Sequence, residues 1–82
     1  MILKKTNFKG LLIVKQRNNL DKRGALRETF NDNFLKKKFI FEYCTTSRRN
    51  VLRGFHFQYR NKQSKFVNVL KGKILDVVID LR

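Results

Sequence analysis

Turn-forming residues punctuate this chain about every eight to twelve positions, and that spacing limits the fold more than any other feature. Segments of this length suit strands, and their regular punctuation points to an all-β sandwich or barrel. Leu11 to Lys15 is a short apolar run suited to a strand. Asn18-Asn19 and Asp21-Lys22-Arg23-Gly24 then form a polar turn region, with Gly24 supplying backbone freedom. Leu26, Phe30 and Phe34 recur every four positions, which fits a short helix between Leu26 and Leu35, with an irregular extended segment as the alternative. Phe39 to Tyr43 is aromatic and β-prone, and Thr45-Thr46-Ser47 is a polar connection. Val51 to Arg60 is a long strand candidate closed by a turn at Asn61 to Ser64. Phe66 to Leu70, Lys71-Gly72 and Lys73 to Leu81 read as strand, tight turn, strand.

This inventory of four or five strands is about half of a jelly roll, which has about eight. The last strand runs to Arg82 with no turn after it, which leaves an edge in need of a partner. The expectation is the N-terminal portion, residues 1–82, of a longer single domain. A lone cysteine, Cys44, makes no internal disulfide; a buried thiol in a reducing compartment is expected. Lys9 and Lys15 interrupt the N-terminal apolar stretch, so neither a secretory signal nor a membrane span is expected. These features predict a cytoplasmic location.

Twenty Lys and Arg against six Asp and Glu give a net charge of +14, which raises nucleic acid as a partner class. The cations lie in scattered clusters, among them Lys4-Lys5, Lys36 to Lys38 and Arg48-Arg49, and outline no single basic helix or tail. A diphosphate ligand would engage only a few of them. The rest read as solvated surface.

Chemistry concentrates in Val51-Leu52-Arg53-Gly54-Phe55-His56-Phe57-Gln58, which carries the only histidine. Polar groups threaded into an aromatic strand cost desolvation unless a pocket satisfies them. His56 is a natural general base or acid, although a lone strand histidine is more often a hydrogen-bonded structural residue. Strict alternation puts His56, Gly54 and Gln58 on one face and Arg53, Phe55, Phe57 and Tyr59 on the other. Arg53 and His56 can reach one pocket only where the strand is irregular, and Gly54 is the candidate break. No metal is expected: one His and one Cys offer no ligand cluster, and Gln58 stands where a metal-binding cupin's HxH pair needs a second histidine.

These residues, with others in order along the chain, resemble the dTDP-4-dehydrorhamnose 3,5-epimerase family. Arg53-Gly54-Phe55-His56-Phe57-Gln58 is similar to that family's RG-hydrophobic-H-aromatic-Q signature. Asp21-Lys22-Arg23-Gly24, with Glu28 and Phe30, resembles its D-x-R-G-x-F-x-E-x-F opening. Phe39 to Asn50 stands in the place of its FVQDNxSxSxxG segment, and Gln63-Ser64-Lys65-Phe66-Val67 resembles QxKLV. Lys71 to Arg82 resembles its hairpin G-x-(I/V)-x-D-V-x-V-D-x-R.

The resemblance implies an incomplete cupin-type jelly roll and a cofactor-free epimerase of deoxysugar nucleotide synthesis. Its substrate would be a dTDP-4-keto-6-deoxyhexose. His56 would remove the proton beside the sugar ketone, and Lys65 and Arg53 would place positive charge near the forming enolate. Arg23 and Glu28 would hold the nucleotide, Gln58 would contact substrate, and the complete protein would be a homodimer without membrane or nucleic-acid partners. The family's opposing tyrosine acid and the aspartate that orients the base would lie beyond Arg82, so this segment alone is expected to be inactive. Phe41 and Tyr43 replace the family's Gln and Asn, which leaves a related 3-epimerase or ketoisomerase on another 4-keto-deoxysugar nucleotide as an alternative. A second alternative is a small basic β-domain that stacks nucleic-acid bases on Phe55, Phe57 and Tyr59.

Overall fold

A computed structural model describes all 82 residues. The chain divides into two compact units, one of Met1–Lys38 with Val69–Arg82 and one of Phe39–Asn68. In the first unit β1 (Ile2–Lys5) pairs antiparallel with β2 (Leu12–Lys15), Leu3 opposite Val14 and Lys4 opposite Ile13. The connection is a tight turn closed by the Leu11 N–H donating to the Phe8 carbonyl at 3.1 Å. Gly10, its third residue, has φ +87°, the value a type II turn requires there. Thr6 braces the loop: its hydroxyl accepts the Phe8 N–H at 3.1 Å and donates to the Leu11 carbonyl at 2.8 Å.

A second ribbon follows. β3 (Asn18–Asp21) pairs antiparallel with β4 (Gly24–Arg27), Asn19 opposite Leu26 and Asp21 opposite Gly24. Lys22 and Arg23 form the two-residue turn, and Gly24 beyond it sits at φ +136°. Gln16 donates to the Thr29 carbonyl at 3.2 Å, joining the chain that enters this ribbon to the chain that leaves it. One helical turn, α1 (Asp32–Leu35), follows. The Asn31 side chain caps it by accepting the Phe34 N–H at 3.2 Å, and Asp32 favours its N-terminal dipole. Lys36, left-handed at φ 52°, ends it.

The all-β class with a single short helix holds, as two small antiparallel ribbons of the kind larger β-sandwiches are assembled from. Several local expectations need correction. Asn18-Asn19 is strand, not turn, because the tight turn is completed within Asp21 to Gly24. The helix does not reach back to Leu26, which pairs with Asn19 in β4; the Asn31 cap delays its start to Asp32. Phe39 to Tyr43, Val51 to Arg60, Phe66 to Leu70 and Lys73 to Leu81 form no regular strand. A strand is stabilised by its neighbours' hydrogen bonds and facing side chains, and these segments pair with none inside the chain. The bend at Leu70 to Gly72 nevertheless falls where a hairpin turn is expected.

No residue is fully buried. Val14, Phe34, Leu35, Phe39 and Phe66 are half-buried, while Leu52, Phe57, Tyr59 and Leu75 lie open to solvent. Cys44 is exposed, against the expectation of a buried thiol, since its segment has no core to enter. In the second unit the Phe39 and Phe66 rings meet with centroids 6.2 Å apart, tilted at 54°, and clamp its two ends. No helix is long and apolar enough to cross a membrane.

Candidate functional site

Four of the six candidate residues, Arg53, His56, Gln58 and Lys65, belong to the second unit, and Arg23 and Glu28 to the first. His56 and Lys65 are exposed and Gln58 is half-buried. Val51 to Arg60 is not a strand here, so regular alternation does not govern where Arg53 and His56 point. Between them Gly54 takes φ +123°, a conformation that L side chains rarely adopt. The open space at Gly54 is not what demands a glycine, because an added Cβ would meet only the His56 backbone N at 3.9 Å. The demand is conformational.

Arg53 is held by the loop before it. Its Nε donates to the Ser47 Oγ at 2.9 Å and its Nη2 to the Thr46 carbonyl at 3.4 Å. The polar Thr45-Thr46-Ser47 connection therefore anchors the arginine three residues before His56. Upstream, Phe41 and Tyr43 stack with ring centroids 6.0 Å apart at 19°. Both rings remain largely exposed.

In the first unit Arg23 projects from the β3–β4 turn and pairs with Asp21 at 2.6 Å. Side-chain bonding to Arg23 leads the effects that lower the Asp21 pKa, and the same bond raises that of Arg23. Glu28 leaves β4 and accepts from the Asn31 Nδ2 at 2.9 Å, so one asparagine links it to the helix cap. Asp21 and Ser47 were not among the residues singled out for function. An aspartate two positions before an arginine across a turn was the available signal for the first. Nothing local marked the second.

A pocket in the first unit, lined by Phe8, Leu11, Val78, Ile79, Asp80 and Arg82 among others, contains none of the six candidates. No group of three or more His, Cys, Asp or Glu side chains is placed to hold a metal ion. What the arrangement offers chemically is a single imidazole, cations from Arg53 and Lys65 in the same unit, and a tethered arginine on a separate hairpin.

The family profile described as dTDP-4-dehydrorhamnose 3,5-epimerase matches residues 5–82. A Methanothermobacter thermautotrophicus protein of that name is 41% identical over 95% of this chain and 45% of its own length. The Salmonella typhimurium protein of that name is 35% identical over 100% of the chain and 49% of its own length. The Escherichia coli protein is 33% identical over 95% and 46%. The chain thus spans about half the length of these curated relatives. No solved structure matches it. A profile match from residue 5 to residue 82, with like-named relatives covering the whole chain, shows that this protein belongs to the dTDP-4-dehydrorhamnose 3,5-epimerase family.

Proposed function

We propose that this chain is the N-terminal portion of a single jelly-roll domain that epimerises a dTDP-4-keto-6-deoxyhexose for dTDP-rhamnose synthesis. The observation that carries the reading is family membership over residues 5–82. The resemblance of Arg53 to Gln58 and of Gln63 to Val67 to that family's motifs supports the roles given to His56, Lys65 and Arg53. His56 removes the proton from the carbon beside the ketone. The electron pair moves into an enolate, whose oxygen Lys65 and Arg53 stabilise, and a proton returned to the opposite face inverts the centre. Both inverted carbons flank one ketone, so the carbonyl acidifies each proton and no redox step is required. Arg23 and Glu28 bind the nucleotide, and Gln58 contacts the sugar.

The complete protein is a cytoplasmic homodimer that needs no cofactor, and residues 1–82 alone turn over little or no substrate, because an acid and an orienter for His56 are missing. A related 3-epimerase or ketoisomerase is the second reading. It is favoured by one feature, the exposed Phe41–Tyr43 stack where the family carries polar residues. The test joins this chain to the remaining length of the family and follows solvent deuterium into the substrate beside the ketone by NMR. Metal-free protein should support exchange, and His56→Ala should abolish it. Exchange as fast in His56→Ala as in wild type removes His56 as the base. Exchange at only one of the two carbons selects the second reading.

A further inference from the structure

Asp21 holds Arg23 in two ways. Its Oδ1 accepts the Arg23 backbone N–H at 2.8 Å, which ties down the main chain of the turn. Its Oδ2 accepts Arg23 Nη2 at 2.6 Å and Nε at 3.2 Å, which fixes the plane of the guanidinium from one edge. A guanidinium has five N–H donors in a rigid fork, so Nη1 and the outer Nη2 proton are left for another acceptor. The Arg23 side chain is 91% exposed, which leaves that outer edge open to solvent.

The same spacing recurs at Asp80 and Arg82 with a different outcome. The Arg82 N–H and Nε each donate to Asp80 Oδ1 at 3.0 Å, and Nη2 meets Oδ2 at 2.9 Å. There, however, Nη2 also donates to the Lys9 carbonyl. That guanidinium is spent on the main chain as a clasp, whereas the one on the β3–β4 turn is pre-set and left open.

We propose that Asp21 is a positioning residue for diphosphate recognition, orienting the free edge of Arg23 toward a nucleoside diphosphate without touching the ligand itself. The inference rests on the nucleotide-binding reading of Arg23. The negative charge of Asp21 opposes an incoming phosphate, but between exposed groups salt screens that repulsion beyond about 8 Å at physiological ionic strength. The hydrogen bonds that orient Arg23 act at contact distance, so raised salt separates positioning from the longer-range repulsion.

The test follows the Arg23 Nε–H signal by NMR in the completed protein, this chain joined to the remaining length of the family, while dTDP is added at about twice physiological salt. In wild type the signal should be sharp and should shift to saturation. Asp21→Asn keeps an oxygen for the turn N–H but removes the charge. It should preserve the Asn19–Leu26 cross-strand contact, broaden the Nε–H signal and weaken dTDP about threefold to tenfold, the usual cost of ordering one side chain on binding. Asp21→Ser, which also retains a turn acceptor, should do the same and serves if Asp21→Asn melts the hairpin. Equal or tighter dTDP binding in both Asp21 variants, with Arg23→Ala still impaired, overturns the positioning role alone. Wild-type affinity in Arg23→Ala, or no response of wild type to dTDP, overturns the nucleotide role of Arg23 and this inference with it.

Discussion

Gly24→Ala tests whether the β3–β4 ribbon depends on one backbone angle. Gly24 has φ +136°, a region that L side chains rarely adopt, and no atom lies within 4 Å of the Cβ that alanine would add. The substitution therefore introduces strain without a clash. Holding a non-glycine residue in such a region costs about 1–3 kcal/mol. At about 1.4 kcal/mol per tenfold, the ratio of formed to open ribbon should fall about fivefold to about 140-fold. Isolated two-stranded ribbons are marginal in water, so a loss of this size opens β3–β4. Arg23 lies in the affected turn, so its ordered Nε–H signal should vanish as well. Cross-strand nuclear Overhauser contacts between Asn19 and Leu26, and between Asn18 and Arg27, are the assay. Gly10→Ala is the control, since Gly10 at φ +87° serves the other ribbon and also has open space around it. It should weaken Leu3–Val14 contacts and spare Asn19–Leu26. Full retention of the Asn19–Leu26 contact in Gly24→Ala, or its equal loss in Gly10→Ala, would refute the reasoning.

Other outcomes follow from the same geometry. Bonding from the Arg82 side chain and backbone lowers the Asp80 pKa to about 2, so the tether is intact above the ordinary carboxylate value of 3.8 and is lost as pH falls through about 2. The Asp80 carboxyl carbon should titrate near 2 in wild type and higher in Arg82→Ala, which removes the side-chain bond and leaves only the backbone one; equal midpoints would contradict the tether. In the completed protein, Lys65→Ala should slow deuterium exchange by about a hundredfold or more, while Arg23→Ala should chiefly raise the substrate concentration required. Rates of exchange against substrate concentration separate the two effects. Nucleic acid should bind the chain only weakly and with steep salt dependence, measured by fluorescence anisotropy. Tight binding at physiological salt that is lost in Phe55→Leu or Phe57→Leu would favour the stacking-platform reading instead.

Family and fold class were legible in the chain itself, because they rest on local order: the Asp21 to Gly24 turn, the Arg53 to Gln58 run, and apolar stretches cut by polar turns. Within the LLIVK segment Leu12–Lys15 formed a strand for the same reason, since an apolar run containing the β-branched Ile13 and Val14 needs only one neighbour, and β1 provides it. Whether the equally β-prone Val51 to Arg60 and Lys73 to Leu81 become strands was not a local matter. Strand identity comes from hydrogen bonds to a partner, and no partner pairs with them in these 82 residues. The fate of Cys44 was decided likewise: burial requires a core, and this chain closes none. Tertiary structure alone assigned Asp21 to Arg23, Ser47 to Arg53 and Asn31 to Glu28, because each depends on where the backbone turns. Composition sets which residues can donate and accept, and only the folded backbone selects which of them meet.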